Sequence, residues 1–157
     1  MMNWDAIAAI AETLAASGVV ISLFYLGMQI RTQNRESKLA AMHEISGAFR
    51  DSYGQFKDGD IADFFVRGNT NFQSLTEVEK VRLFATINPL LKVFEEAFWQ
   101  FKQDRFDEAL WVPMVSQFSF FLSAPTLVQA WEQRKSHYNT DFQKFVDGLQ
   151  KSDYRID

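Results

Sequence analysis

The hydrophobic pattern of the chain changes once, near residue 31. From Ala6 to Ile30 the sequence is AIAAIAETLAASGVVISLFYLGMQI, which is apolar on every side of a helix and contains one carboxylate, Glu12. The 18 residues from Thr13 to Ile30 give about 27 Å of helix, and the 25 residues from Ala6 can cross a bilayer with tilt. Because the apolar positions do not form a single stripe, the pattern favours a transmembrane helix over the core helix of a soluble protein.

The charges around this segment predict whether it is retained and how it is oriented in the membrane. All 16 Lys and Arg residues lie at or after Arg31, and the start of the chain is acidic. A cleavable signal peptide needs a basic start and a small-residue cleavage site, so we expect a retained anchor. The positive-inside bias then predicts an external N-terminus and a cytoplasmic segment 31–157. The expected membrane-interface anchors are Trp4, Tyr25, Arg31, Arg35 and Lys38.

Small residues recur at alternating spacings of three and four within the apolar segment. They are Ala8, Ala11, Ala15, Gly18 and Ser22. On a helix they form one stripe, and such stripes allow helix backbones to approach closely in lipid. Since one span per chain is predicted, the stripe should pack against another copy or against a different subunit.

Glu12 lies beside the small-residue stripe, where a carboxylate in hydrocarbon is costly unless it is neutral, paired or hydrated. One interpretation is a ring of Glu12 side chains from several copies, lining an ion or proton path. The other interpretation places Glu12 at the outer interface and spans the membrane with residues 13–30. The sequence alone leaves both open.

The rest of the chain is patterned as helices. Apolar residues every three or four positions from Leu39 to Phe56 predict a membrane-proximal amphipathic helix. No segment of useful length alternates apolar and polar residues as a half-buried strand would. The predicted fold is therefore all-α, with a transmembrane helix that continues into a small cytoplasmic helical bundle. The expected divisions are 1–30 for the short N-terminus and span, 31–57 for the membrane-proximal helix, and 58–157 for the cytoplasmic helical domain.

Local sequence also predicts where the later helices begin and end. Asp60 is the expected cap of a short helix through Val66, with Gly68 at its end. Thr76 and Glu79 have the spacing of a capping box before a long apolar pattern. Asp107 is the expected start of a further helix, and Thr140, with Gln143 three residues later, is the expected cap of the last helix.

Asn88 and Glu95 lie two turns apart on one stripe of the long helix, which predicts a partly buried polar pair. A buried Glu most often braces a neighbouring helix, although it can also be a functional group with a raised pKa. An enzyme or lipid-binding module that uses Glu95, and a lipid or quinone cleft between aromatic helices, stay open as alternatives.

Composition excludes several classes of function. The formal charge is −4, whereas nucleic-acid binders are usually basic, and the absence of Cys excludes thiolate chemistry and thiolate metal sites. His43 and His137 have no Glu or His at metal-binding spacing. No nucleophile elbow, dinucleotide motif or phosphate loop occurs. We therefore expect no catalytic residue, no metal and no cofactor, and a protein that is not an enzyme.

Five segments resemble a family of small, uncharacterised bacterial membrane proteins. They are SLFYLGMQIR, LTEVEKVRLF, VFEEAFWQFKQDRFDEALW, LSAPTLVQAW and DFQKFVD, in this order. The resemblance implies a bacterial inner-membrane location, one N-terminal transmembrane helix and a helical cytoplasmic domain, and it implies no activity. The family pattern maps onto Glu95, Asp107, Trp111, Pro125 and Trp131. The family often has Gly in the turn where this chain has Asp104-Arg105.

Together these features predict a membrane-anchored, self-associating helical protein with a structural, scaffold or accessory-subunit role. Its expected partners are membrane lipid and either its own copies or the other subunits of a membrane complex. The alternative is a homo-oligomeric ion- or proton-conducting pore with Glu12 near its axis.

Overall fold

The protein is all-α in its computed structural model, as the sequence predicts. The backbone is described for residues 3–155, and the side chains for the same residues except Trp4 and Ala6. Across this part of the chain there are six α-helices, joined by short turns and three single-turn 3₁₀ segments, and there is no strand. The helices are α1 (Trp4–Gly54), α2 (Gly59–Asn71), α3 (Glu77–Lys102), α4 (Glu108–Phe121), α5 (Pro125–Arg134) and α6 (Thr140–Asp147).

The chain divides into two compact units, Met1–Leu39 and Ala40–Asp157, and the boundary falls within α1. In the first unit every side chain that the structure describes is exposed. Its hydroxyl groups are nonetheless satisfied: Thr13, Ser17 and Ser22 each donate a hydrogen bond of 2.8 Å to the carbonyl four residues earlier. Such internal bonds leave few polar groups that need water.

The second unit is built around an aromatic core. Phe94 of α3 stacks on Phe118 of α4 with ring centroids 3.6 Å apart, and Phe118 also faces Phe142 of α6 at 6.5 Å. Each fully buried side chain of this size stabilises the fold by about 1.5–3 kcal/mol. The largest fully buried apolar side chains are Phe118, Phe142, Ile45, Leu83, Ile87, Leu90, Leu91 and Leu127.

Helix α4 meets α5 at 99°, across a break that begins after Phe121. Leu122 and Ala124 in this break are buried, so the corner itself belongs to the core. Pro125 is the first residue of α5, where its missing N–H costs no hydrogen bond. The predicted break at Ser123-Ala124-Pro125 is thus present.

Two predicted helix caps are wrong by one or two residues. The cap of α2 is Asp58, not Asp60, because Asp58 has the extended backbone and its carboxylate accepts from the N–H groups of Asp60 and Ile61. The cap of α6 is Asn139, whose side chain accepts from Asp141 N–H at 2.9 Å. In both cases the better-placed side chain precedes the predicted one.

Gly68 does not end α2, which continues to Asn71. Gly68 is buried inside the helix, where a Cβ would lie 2.6 Å from Thr126 Oγ1 of α5. The glycine is therefore needed for close helix packing rather than for chain reversal.

The long helix α3 begins as predicted and continues through Pro89. The Thr76 hydroxyl accepts from Glu79 N–H, and the Glu79 carboxylate accepts from Thr76 N–H at 2.7 Å. Pro89 leaves the carbonyl of Ala85 without its helical donor, and both residues are exposed, so water can satisfy that carbonyl.

Candidate functional site

The small-residue stripe lies on the exposed first unit. All five of its residues are exposed, and nothing lies within 4 Å of a Cβ added at Gly18. Ser22, its one hydroxyl-bearing member, donates to the Gly18 carbonyl at 2.8 Å and so presents its methylene outward. The stripe is thus a narrow, small and internally satisfied surface, the type that packs closely against another helix in lipid.

The predicted intramembrane carboxylate and interface anchors lie on the same helix. Glu12 is exposed within α1, and the Tyr25 side chain is 61% exposed. The side chain of Trp4 lies outside the described residues. The basic anchors, all on exposed positions of α1, are Arg31, Arg35 and Lys38.

Glu95 and Asn88 are not joined to each other. The Glu95 carboxylate accepts from Lys92 Nζ at 2.6 Å and from the backbone N–H of Asn139 at 2.7 Å. Since Asn139 caps α6, this carboxylate connects the middle of α3 to the start of α6. Asn88 Oδ1 is buried without a hydrogen-bond partner in the described part of the chain. The geometry around Glu95 is that of a brace between helices.

Lys92 and Tyr138 complete this brace. Lys92 Nζ lies 4.2 Å from the centre of the Tyr138 ring and also donates to the His137 carbonyl at 3.3 Å. Burial raises the pKa of Tyr138 to about 12, and the nearby Glu95 carboxylate acts in the same direction. The phenol therefore stays protonated near neutral pH, so it cannot act there as a base.

The other residues selected by the family resemblance have structural contacts. The Asp107 carboxylate accepts from Ala109 N–H at 2.8 Å and so caps α4. Trp131 is buried, and its indole N–H donates to Asp147 Oδ1 at 2.8 Å, which ties α5 to the end of α6. Trp111 is buried and stacks on Phe101 with centroids 4.7 Å apart.

Two adjoining cavities lie in the second unit, between residues 42–53 of α1 and residues 110–121 of α4. Their volumes are about 360 and 290 Å³, and Phe49 and Gln117 line both. Together they form one surface, which we call the α1–α4 groove. Leu90 and Phe94 of α3, both buried, form the floor of the larger cavity.

The sequence leaves a lipid or quinone cleft between aromatic helices open but does not locate this groove, because its walls have the same period as a core stripe. Leu110, an apolar residue in the first turn of α4, is left 43% exposed. A repeat of three and four residues shows that a helix face is apolar, not whether another helix covers it.

Metal-binding side chains are not clustered in the described region. No group of three or more His, Cys, Asp or Glu residues within residues 3–155 could hold a metal ion. The His43 side chain is exposed on α1, and the contact of His137 noted above is made by its backbone carbonyl, which accepts from Lys92 Nζ. The arrangement provides packing surfaces and a groove rather than a cluster of reactive groups.

Comparison with protein-family models, with curated proteins and with solved structures finds no match of either sequence or fold for this chain.

Proposed function

We propose that the chain is a single-span membrane protein whose N-terminal helix anchors the helical domain to a membrane and joins copies through the small-residue stripe. Its role would be that of a scaffold or an accessory subunit. One observation carries the proposal: the apolar segment of α1 is long enough to cross a bilayer, and none of its most hydrophobic 18-residue stretch is buried within the chain. Leu14, Ile21 and Phe24 are each about two-thirds exposed or more.

Free energy favours moving this segment out of water. Burying one large apolar side chain gains about 1.5–3 kcal/mol, and exposed side chains of this kind occur all round the helix rather than on one face. In a bilayer, lipid can contact every face of a transmembrane helix. Because the hydroxyls of Thr13, Ser17 and Ser22 already donate within the helix, their transfer into hydrocarbon leaves no unpaired donor.

Single-cysteine labelling tests the anchor and its direction, since the chain has no Cys of its own. Asn3→Cys and Lys151→Cys are exposed positions near the two ends. With a membrane-impermeant maleimide on intact bacterial cells, we expect Asn3→Cys to be labelled and Lys151→Cys to be labelled only after permeabilisation. The chain should stay in the membrane fraction at its full 18.2 kDa after an alkaline carbonate wash. Release by the wash would refute the anchor, and the reverse labelling would refute the orientation.

A pore is the second candidate function. In the part of the chain that the structure describes, the Glu12 carboxylate has no hydrogen-bond or ion-pair partner, and it lies beside the stripe that would face other copies. An unpaired carboxylate on a membrane helix is typical of an ion or proton path. Planar-bilayer recordings of the wild type and Glu12→Gln test this: a pore requires a conductance whose size or pH dependence the substitution changes. Identical recordings, or no conductance, exclude it.

A further inference from the structure

The α1–α4 groove consists of two adjoining cavities along two helices. Its wall on α1 includes Met42, Phe49 and Tyr53, and its wall on α4 includes Leu110 and Phe121, at the spacings of a single helix face on each side. Met42 and Tyr53 of α1 are eleven residues apart, as are Leu110 and Phe121 of α4, so the groove extends about 16 Å along each helix axis. Phe49 and Gln117 line both cavities, so the two cavities adjoin at these side chains.

Large apolar side chains in this groove are not covered by the rest of the second unit. Tyr53 is 47% exposed, Leu110 43% and Phe120 42%, although the floor beneath them is buried. Leaving such surface in water is unfavourable, and volumes of a few hundred Å³ are typical of small-molecule sites. The groove therefore has the dimensions and the surface of a ligand site.

One end of the groove carries a cation. The segment after α6 folds back onto α4 and the corner, where Ser152 N–H donates to Ser123 Oγ at 2.8 Å and Tyr154 contacts Phe120 with centroids 5.0 Å apart. This contact places Arg155 in the wall of the larger cavity, and among residues 3–155 it is the only charged one that lines either half of the groove.

The Arg155 guanidinium has capacity for a second acceptor. It pairs with Asp153 at 2.7 Å, but both side chains are about three-quarters exposed, so that ion pair is weak. A guanidinium has five N–H donors and can bind a carboxylate with two of them.

We propose that the α1–α4 groove binds a single-chain fatty acid, with its acyl chain along Phe49 and Gln117 and its carboxylate on Arg155. This assignment goes beyond membrane anchoring and does not depend on it. The Arg155 guanidinium beside an apolar groove matches a ligand with one anionic head and one slender tail.

Photo-crosslinking with a diazirine-bearing dodecanoate tests the proposal on the full chain in phosphatidylcholine nanodiscs. We expect the crosslinks, located by mass spectrometry, to fall within residues 42–53 and 110–121. Unlabelled dodecanoate should compete about tenfold better than dodecanol, because only the acid pairs with the guanidinium. In Arg155→Gln that preference should vanish while crosslinking of the same segments persists. Crosslinks confined to residues 7–30 would show only partitioning into lipid and would overturn the proposal.

A blocking variant and a matched control show whether the ligand lies inside the groove. Gln117→Trp fills the junction of the two cavities at an exposed position, and Val112→Trp adds the same side chain elsewhere on α4, where Val112 is 59% exposed. We expect about a tenfold loss of crosslinking in the first and none in the second. If Gln117→Trp unfolds, as judged by circular dichroism, Ser46→Phe blocks from the opposite wall. Undiminished crosslinking in a folded blocking variant, or crosslinks between two copies across the groove, would refute the site.

Discussion

Gly68 of α2 lies directly against Thr126 of α5, so closely that a Cβ at residue 68 would lie 2.6 Å from the threonine hydroxyl. Thr126 is fully buried, and its hydroxyl donates to the Phe65 carbonyl at 3.1 Å while its N–H donates to Asn69 Oδ1 at 3.0 Å. The threonine is thus fixed by α2 on both sides and cannot move away from a larger neighbour.

Gly68→Ala should therefore destabilise the second unit, although alanine is the better helix former. We expect a loss of about 1–3 kcal/mol in the free energy of unfolding, since the added methyl overpacks a fixed contact. Urea unfolding followed by Trp fluorescence measures it. Gly47→Ala is the matched control: nothing lies within 4 Å of its Cβ, and α-helical alanine should be neutral or stabilising there. An equal change in the free energy of unfolding for the two variants would contradict the close contact between residue 68 and Thr126.

The turn after α3 places Asp104 in the left-handed region, with φ of 57°. Arg105 N–H donates to the Gln100 carbonyl at 2.8 Å and Asp104 N–H donates to Phe101 at 3.0 Å, which is the Schellman pattern that favours glycine. Asp104→Gly should be more stable than Asp104→Ala by about 1 kcal/mol, because both variants lose the carboxylate and only alanine retains the Cβ strain. Equal unfolding midpoints for the two variants would show that the turn is not strained.

Arg67 of α2 pairs with both Asp63 and Glu79, and so connects α2 to the capping box of α3. The hydrogen bond from Arg67, helped by the Thr76 backbone N–H, lowers the pKa of Glu79 from 4.5 to about 2. A carboxyl whose pKa is lower in the folded state adds stability above its unfolded pKa, and that contribution is lost as the pH falls.

The stability difference between wild type and Glu79→Gln should accordingly be largest above pH 4.5 and shrink as the pH falls towards 2. Unfolding in urea at a series of pH values measures this difference. Glu77→Gln is the control in the same helical turn, since the Glu77 side chain is 91% exposed. A difference that does not change with pH would contradict the role of the Arg67 pair.

Glu95→Ala should lower the free energy of unfolding by about 1–3 kcal/mol, because the Asn139 N–H and Lys92 lose a charged acceptor. Glu95→Gln keeps an acceptor oxygen and should lie between the alanine variant and the wild type. The adjacent, exposed Glu96 offers the control Glu96→Ala, for which we expect no change. If Glu95→Ala unfolds like the wild type, Glu95 is not a structural brace.

Some features set by neighbouring residues could be predicted from the sequence, although the predicted caps of α2 and α6 lie one or two residues too late. The Thr76–Glu79 capping box and the Asp107 cap each depend on side chains within three residues of a helix start, and both are present. The all-α fold follows from the three- and four-residue repeat in the same way.

Features set by distant residues could not be predicted. The partner of Glu95 is 44 residues away, and Gly68 meets Thr126 across two helices. The α1–α4 groove depends on the spacing between α1 and α4, which no local pattern encodes. A periodic stripe therefore identified apolar faces without showing which ones stay uncovered.

Native mass spectrometry of the untagged, detergent-extracted complex tests most directly whether the N-terminal helix joins copies of this chain in a membrane. We expect a single species at an integer multiple, greater than one, of 18.2 kDa. Gly18→Leu should dissociate it by widening the small-residue stripe, whereas Val20→Leu, off that stripe, should leave it intact. A monomer, or a mass that includes a second polypeptide, would contradict self-association.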